Sequence, residues 1–447
     1  MASSASADAP SLLLLASPPD PATPDALRAA YRRPLAAVIS RLSHENRPNT
    51  PRDVAPVLVV AVASPVLAKS DAAPARETHG RSVDWSRSQS LLAGLYALVA
   101  VICAERSIAT DLAADDPGAV DVRLLLIDHD QSSASDYRPG PNGSYEPNNT
   151  TVLDLAAFAT LVRPWRCIFH PSSEAGHRLH AAYLKYASGK QRFLQSQLVA
   201  VDGGLTLSQQ IANDEASARQ RKRPAKSYTS VCLGGTFDHL HPGHKLFLHA
   251  AVLLLNLEEE SSAEKPRCEL VIGISSDELL AKKKYADQLQ SWDVRARFVI
   301  NFLATLLNWC TTSTTDTKAV QAETKELHAT FRNGAILVRC VDFHDLYGPT
   351  VKQQSIQALV VSGETRSGGQ AVNDKRHSQG WPILDIYEID VLDAGIDSVE
   401  GGGSGNGNGN ATSSANFESK ISSTEIRKQK AQRLASSRVE PSEDVKP

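Results

Sequence analysis

The stretch Val231-Cys-Leu-Gly-Gly-Thr-Phe-Asp-His-Leu-His-Pro-Gly-His-Lys245 constrains this chain more than any other. A short apolar run enters Gly234-Gly235, where the backbone can turn sharply and a ligand can come close. Pro242 suits the first turn of a helix, because its missing N–H is not needed there. The segment therefore predicts a strand, a glycine turn and a helix start, with His241 and His244 at the helix N-terminus. Free N–H groups and the helix dipole favour phosphate at such a point.

Three chemistries are open to the two histidines. As core or capping residues they would be inert. As metal ligands they lack a third protein ligand nearby, and a helix start suits them less than a mid-helix H-E-x-x-H. As phosphate clamps they agree with the context on both sides, which favours this third reading. No protein-built metal site is expected.

A length of 447 residues gives room for two or three domains. The net charge of −3 is too balanced for a dedicated nucleic-acid binder, so no nucleic-acid partner is expected. The six cysteines lie at least 30 residues apart with no C-x-x-C pair, which suits a reducing, cytoplasmic setting. A helix crossing a membrane needs about 20 apolar residues. The longest apolar run, Leu91 to Ala104, reads instead as a buried core helix, and Leu12 to Leu15 is too short for a signal peptide. No membrane partner is expected.

Residues 1–50, rich in Ala, Ser and Pro, read as a partly flexible segment with one amphipathic helix around Ala26 to Leu42. Residues 51–215 read as an α/β domain of unknown role. Its strands are expected at Val57–Ala63, Val122–Ile127 and Cys167–Phe169, and its helices at Ser90–Ala109, Asp154–Val162 and Ala175–Ala187. A Ser/Pro/Gly/Asn-rich loop runs from Gln131 to Asn149. Residues 216–227, with Arg219, Arg221, Lys222, Arg223 and Lys226, read as a basic linker; nuclear import is the lesser alternative.

Residues 228–434 alternate more regularly. Strands are expected at Val231–Leu233, Leu270–Ile274, Ile336–Val341, Leu359–Val361 and Ile383–Ile389. Helices are expected at His244–Leu257, Val294–Leu307 and Ser422–Leu434. That alternation predicts an α/β fold with a Rossmann-like, doubly wound parallel sheet. Thr311–Thr317 reads as a surface loop, about 399–416 as a flexible Gly/Asn-rich insertion, and 435–447 as a polar tail.

The run Gly234 to His244 closely resembles the H-x-G-H signature of the nucleotidyltransferase superfamily, and within it the eukaryotic-type phosphopantetheine adenylyltransferases. Ile421-Ser-Ser-Thr-Glu-Ile-Arg427 is similar to the family's second motif, although Ser422-x-x-Glu425 alone is an ordinary capping box. Val360 to Asn373, followed by Arg376, resembles the family's segment after its fourth strand. Bacterial relatives carry an arginine where this chain has Ser362-Gly363-Glu364, so whether Arg366 or Arg376 replaces it is open. The resemblance covers roughly residues 228–434, under half of the chain.

It implies transfer of AMP from ATP, with Mg²⁺, to 4′-phosphopantetheine, giving dephospho-coenzyme A and pyrophosphate. The implied catalytic residues are His244, His241, Lys283 and Thr236. The implied ATP and phosphate contacts are Gly235, Thr236, Phe237, Gly243, His244, Gly363, Glu364, Arg366, Ser422, Ser423, Thr424 and Arg427. Glycines 368 and 369 would admit the nucleotide. Lys282 to Lys284 could equally be a solvated cationic face. Association with other coenzyme A pathway enzymes is a further expectation. No G-x-x-x-x-G-K-[ST] loop occurs, so a following kinase step is not expected. The alternatives are a cytidylyltransferase or other nucleotidyltransferase with a different phosphorylated acceptor, and a non-catalytic nucleotide-binding regulator or scaffold.

Overall fold

The computed structural model describes residues 9–46, 55–67, 82–109, 111, 118–130, 150–204, 226–257, 266–308, 316–321, 325–390, 392 and 422–437. In the N-terminal half, β1 (Ser11–Leu15), β2 (Val57–Ser64), β3 (Asp121–Asp128), β4 (Leu153–Asp154), β5 (Ile168–Pro171) and β6 (Leu198–Val201) form one sheet. Its order is β4-β3-β2-β1-β5-β6, parallel throughout. Parallel strands covered on both faces need apolar side chains on both, so β1 and β2 are continuous Leu and Val/Ala runs. The accompanying helices are α1 (Pro24–Glu45), α2 (Trp85–Glu105), α3 (Leu155–Thr160) and α4 (Glu174–Ala187).

The expectation of a separate flexible segment at residues 1–50 is corrected for residues 9–46. All five residues of β1 are buried in the middle of the sheet, and α1 packs on it through Leu27, Tyr31, Leu35 and Ile39. Four consecutive leucines carry no alternation, so periodicity does not mark them as a strand. Helix α2 has the length and hydropathy of a membrane span. Its Leu92, Leu95, Tyr96, Val99 and Ile102 are nevertheless fully buried against protein.

The C-terminal half contains β7 (Ser230–Gly235), α5 (Pro242–Val252), β8 (Cys268–Ser275), α6 (Asp277–Leu280), α7 (Trp292–Leu307), β9 (Asp316–Gln321), β10 (Lys325–Phe331), β11 (Ile336–Phe343), β12 (Ala358–Val361), α8 (Arg366–Ser378), β13 (Asp385–Glu388) and α9 (Ser423–Ser437). The strand order is β13-β12-β7-β8-β11-β10-β9. The five strands from β13 to β11 are parallel, as the sequence predicts. At the far edge the expectation is corrected, because β10 runs antiparallel to both β11 and β9. Arg332, Asn333 and Gly334 all take positive φ (49°, 57° and 83°), which makes the tight turn an antiparallel pair requires.

The two halves share one apolar core through α2, α5 and α7. Trp85 Nε1 donates to the Ala250 carbonyl at 2.8 Å, and Arg332 donates to the Thr151 carbonyl at 2.8 Å. The expected loop at Gln131–Asn149, residues 216–225 of the linker, Thr311–Thr315, the insertion at about 399–416 and residues 438–447 lie outside the described residues.

Candidate active site

Along the chain, β7, β8 and β11 are laid down in one direction from β7, and β12 and β13 in the other. The order therefore reverses between β7 and β12, and ligands of such sheets enter the crevice outside the carboxyl ends at that point. Two segments leave the sheet there: Thr236 to His241 from β7, and Ser362 to Arg366 from β12.

His241 is the N-cap of α5, and its ring stacks on His244 with centroids 3.9 Å apart. Gly243 lies between them, where a Cβ would stand 3.2 Å from the His241 ring. Phe237 is fully buried, with its ring 5.4 Å from that of His244. Phe237 and His239 hold left-handed backbone (φ 52° and 46°), a conformation that costs a non-glycine residue roughly 1–2 kcal/mol. Such strain persists where surrounding contacts over-determine the loop. Burial, with a smaller contribution from the His239 charge, pushes His244 down to about 3. Burial and then His244 hold His241 well below the usual histidine range. Both rings are neutral at pH 7.

Asp238 is the hub of the surrounding contacts. It is fully buried, and its carboxylate accepts from Gln290 N at 3.0 Å and Arg427 Nη1 at 2.6 Å. Ser423 Oγ donates to the Asp238 carbonyl at 2.8 Å. Arg427 also donates from Nε to the Lys284 carbonyl and from Nη2 to Thr424 Oγ1, both at 3.1 Å. Its guanidinium thus latches α9 to the H-x-G-H loop and the lysine turn, in place of the expected phosphate contact. Arg295, wholly buried, ties the ends of β7 and β8 by donating to the carbonyls of Thr236 (2.8 Å) and Ser275 (2.9 Å) and to Asp277 (2.6 Å).

The start of α9, with Ser422 just before it and Ser423 and Thr424 in its first turn, is thereby held against Asp238 of the segment that carries Thr236, Phe237, His241, Gly243 and His244. Lys283 is exposed in the turn after α6, next to Lys284. Gly363 and Glu364 form an exposed turn after β12, and the Arg366 guanidinium pairs with both Glu388 oxygens at 2.6 Å. Arg376 is corrected as a phosphate candidate. It is fully buried and donates to the carbonyls of Thr350, Gln353, Gln354, Ile356 and Pro382. The glycine reading is corrected too, since Gly368 and Gly369 lie within α8. A Cβ on Gly369 would meet Val361 and Ile386 at 3.3 Å, so this glycine serves helix–sheet packing. Sequence reasoning missed Asp238, His239, Lys245 and Arg295. The signal present was a charged residue set inside an apolar helix face, Lys245 before Leu246-Phe247-Leu248 and Arg295 before Ala296.

A cytidylyltransferase-like family model matches residues 232–429, and a domain of unknown function (DUF8446) matches residues 1–207. A Saccharomyces cerevisiae phosphopantetheine adenylyltransferase is 30% identical over 206 residues, 46% of this chain and 50% of that protein. An uncharacterized Schizosaccharomyces pombe protein is 36% identical over 160 residues, 36% of this chain and 39% of that protein. This chain thus spans half or less of the length of these two fungal relatives. A Pyrococcus furiosus phosphopantetheine adenylyltransferase is 30% identical over 167 residues, 37% of this chain and 80% of that protein. Through its C-terminal half the chain belongs to the cytidylyltransferase-like nucleotidyltransferases, in the part of the family similar to phosphopantetheine adenylyltransferases.

Proposed function

We propose that this protein is a pantetheine-phosphate adenylyltransferase, making dephospho-coenzyme A and pyrophosphate from ATP and 4′-phosphopantetheine. The observation that carries the reading is the stacked, neutral His241–His244 pair at the start of α5, set where the strand order reverses. The names of the yeast and archaeal relatives support the choice of acceptor.

The acceptor phosphate has its second ionisation near about 6, so it is largely anionic at pH 7 and needs no strong base. Its oxygen attacks the α-phosphorus, the bond from that phosphorus to the bridging oxygen breaks, and pyrophosphate leaves with the electron pair. The protein's task is alignment and relief of charge. With Nδ1 of both histidines sealed from solvent, Nε2 is the nitrogen left to donate to a phosphate oxygen. Thr236 and the Gly235–Phe237 backbone would hold the α-phosphate or the acceptor phosphate, and Lys283 would bridge the two. Ser422, Ser423 and Thr424, with the N–H groups opening α9, would receive pyrophosphate. Arg427 acts by holding α9 in place. Among the described residues no group of three or more His, Cys, Asp or Glu side chains forms a metal cage. Mg²⁺ would arrive on the ATP phosphates, where it shares their charge.

The test is pyrophosphate release from the full chain with ATP and Mg²⁺, offering 4′-phosphopantetheine, phosphocholine and nicotinamide mononucleotide separately. Release with phosphopantetheine alone, lost in H244A, is expected. Release with a different acceptor would keep the chemistry and overturn the substrate; ATP binding without turnover would overturn both.

A further inference from the structure

The segment His239–Lys245, which contains both motif histidines, meets a carboxylate of the N-terminal half at each end. Lys245 is wholly buried, with Nζ 2.7 Å from Asp121 Oδ1 and 3.1 Å from the Val122 carbonyl. The other Asp121 oxygen accepts from Arg123 Nε and Nη2 at 2.9 and 2.7 Å. Arg123 reaches on to Thr305 of α7 at 2.6 Å, so the network joins β3, α5 and α7. Burial pushes the Asp121 carboxyl up, but Arg123 and Lys245 outweigh it and hold that carboxyl below its usual range.

At the other end, His239 Nε2 lies 2.9 Å from the Gln288 carbonyl, and His239 Nδ1 faces Asp111 Oδ2 at 3.7 Å. Both side chains are buried, at 4% and 5% exposure. A neutral imidazole donates from one nitrogen only, whereas an acceptor faces each nitrogen of this ring. At 3.7 Å His239 Nδ1 and Asp111 Oδ2 make no hydrogen bond, and neither atom has another partner among the described residues, so the Asp111 carboxylate acts on the ring through its charge. The other ionisable groups facing it are Asp238, 3.9 Å away and itself paired with Arg427, and the rings of His241 and His244. Burial lowers the His239 pKa, but Asp111 and Asp238 reverse that and raise it. Asp111 and Asp121 both belong to residues 1–207, the part matched by the domain of unknown function.

We propose that Asp111 and Asp121 are positioning residues for the nucleotidyl transfer, clamping the two ends of the H-x-G-H segment so that His241 and His244 stay aligned with the phosphates. The N-terminal half is then part of the catalytic unit. A misplacement of about 1 Å can cost on the order of 100-fold in rate, which is the lever such a clamp works on. The proposal rests on the nucleotidyl-transfer reading above.

The experiment uses the full chain carrying D111N, D121N or W85F, each assayed below its melting temperature. Trp85 bonds the same two halves at Ala250, on α5 away from the motif, so W85F weakens the interface without touching the clamp. Expected are falls in kcat of about 10-fold or more for D111N and D121N, with KM for ATP within about threefold, and an unchanged kcat for W85F. Folded D111N and D121N with kcat within about twofold of the parent would overturn the proposal. So would a kcat loss that merely tracks the fall in melting temperature across all three variants. Should D121N fail to fold, D111N decides. Histidine ¹⁵N spectra give a readout that needs no substrate. They should show His239 taking up its second proton at a higher pH in the parent than in D111N, and the same His239 titration in both proteins would overturn the clamp. If the parent releases no pyrophosphate with any acceptor, the proposed function fails and these spectra still test the clamp.

Discussion

His249 lies on α5 beyond His244, 3% exposed, with its Nδ1 buried and unpartnered. Burial holds its pKa down at about 3. In the unfolded chain it would titrate near about 6.5. Between those values the unfolded state binds a proton that the folded state refuses, so stability is complete above pH 6.5 and falls as pH drops. At about 1.4 kcal/mol per unit over the 1.5 units down to pH 5, the loss is about 2 kcal/mol for this one ring. His244 has the same shift and sign, so the two together remove about 4 kcal/mol from a stability that for most proteins is about 5–15. His239, shifted upward, offsets part of this, while Asp121, held low, titrates below the window. Urea midpoints at pH 7.5, 6.0 and 5.0 for the parent and H249L measure the effect. Leucine cannot titrate, so the stability difference between the two proteins should move by about 2 kcal/mol in favour of H249L between pH 7.5 and 5. Parallel pH curves for the two proteins would refute the reasoning.

H244A should lose about 100- to 1,000-fold in kcat with its circular dichroism unchanged, the usual result of removing one preorganised donor; near-normal turnover would remove His244 from the chemistry. R427M leaves Asp238 buried without its cation, a change that typically costs about 3–5 kcal/mol. Its melting temperature and its turnover should fall together, and an unchanged melting point would show that Arg427 is not a latch. R376L should lower the melting temperature while leaving kcat at low temperature intact, because the guanidinium it removes satisfies backbone carbonyls. A loss of ATP affinity in R376L would restore the phosphate role. Calorimetry of the full chain should show a single transition for both halves, since their cores are continuous.

The strand–glycine–helix at Val231–Lys245 was legible because every signal in it is local: an apolar run, two glycines, and a proline at the helix start. The five parallel strands of the C-terminal sheet followed from alternation over whole segments. The β9–β10 hairpin did not, because a mostly exposed edge strand carries little apolar pattern. Arginine side chains were the least legible. Arg366, Arg376 and Arg427 look equivalent in sequence, yet the first pairs with Glu388 at the surface, the second is buried on carbonyls 6 to 26 positions away, and the third is buried on Asp238, 189 positions away. Whether a guanidinium meets solvent is decided by tertiary packing, which no local spacing encodes. The same holds for His239, whose neighbour Asp111 lies 128 positions earlier in the chain (239 less 111).

Lys245 brings these threads together. Its ammonium stands at 0% exposure on an otherwise apolar stretch of α5, immediately after the motif histidine. Taking one such charge out of water costs several kcal/mol unless a partner compensates it. The compensating groups, Asp121 and the Val122 carbonyl, both come from β3 of the other half. Asp121 in turn is satisfied by Arg123, which reaches back across to α7. Two partners of the buried cation therefore come from β3, which ties the helix start that carries His241 and His244 to the N-terminal sheet. A C-terminal half that kept Lys245 but lost β3 would lose both of these partners of the cation beneath the turn that carries His241 and His244.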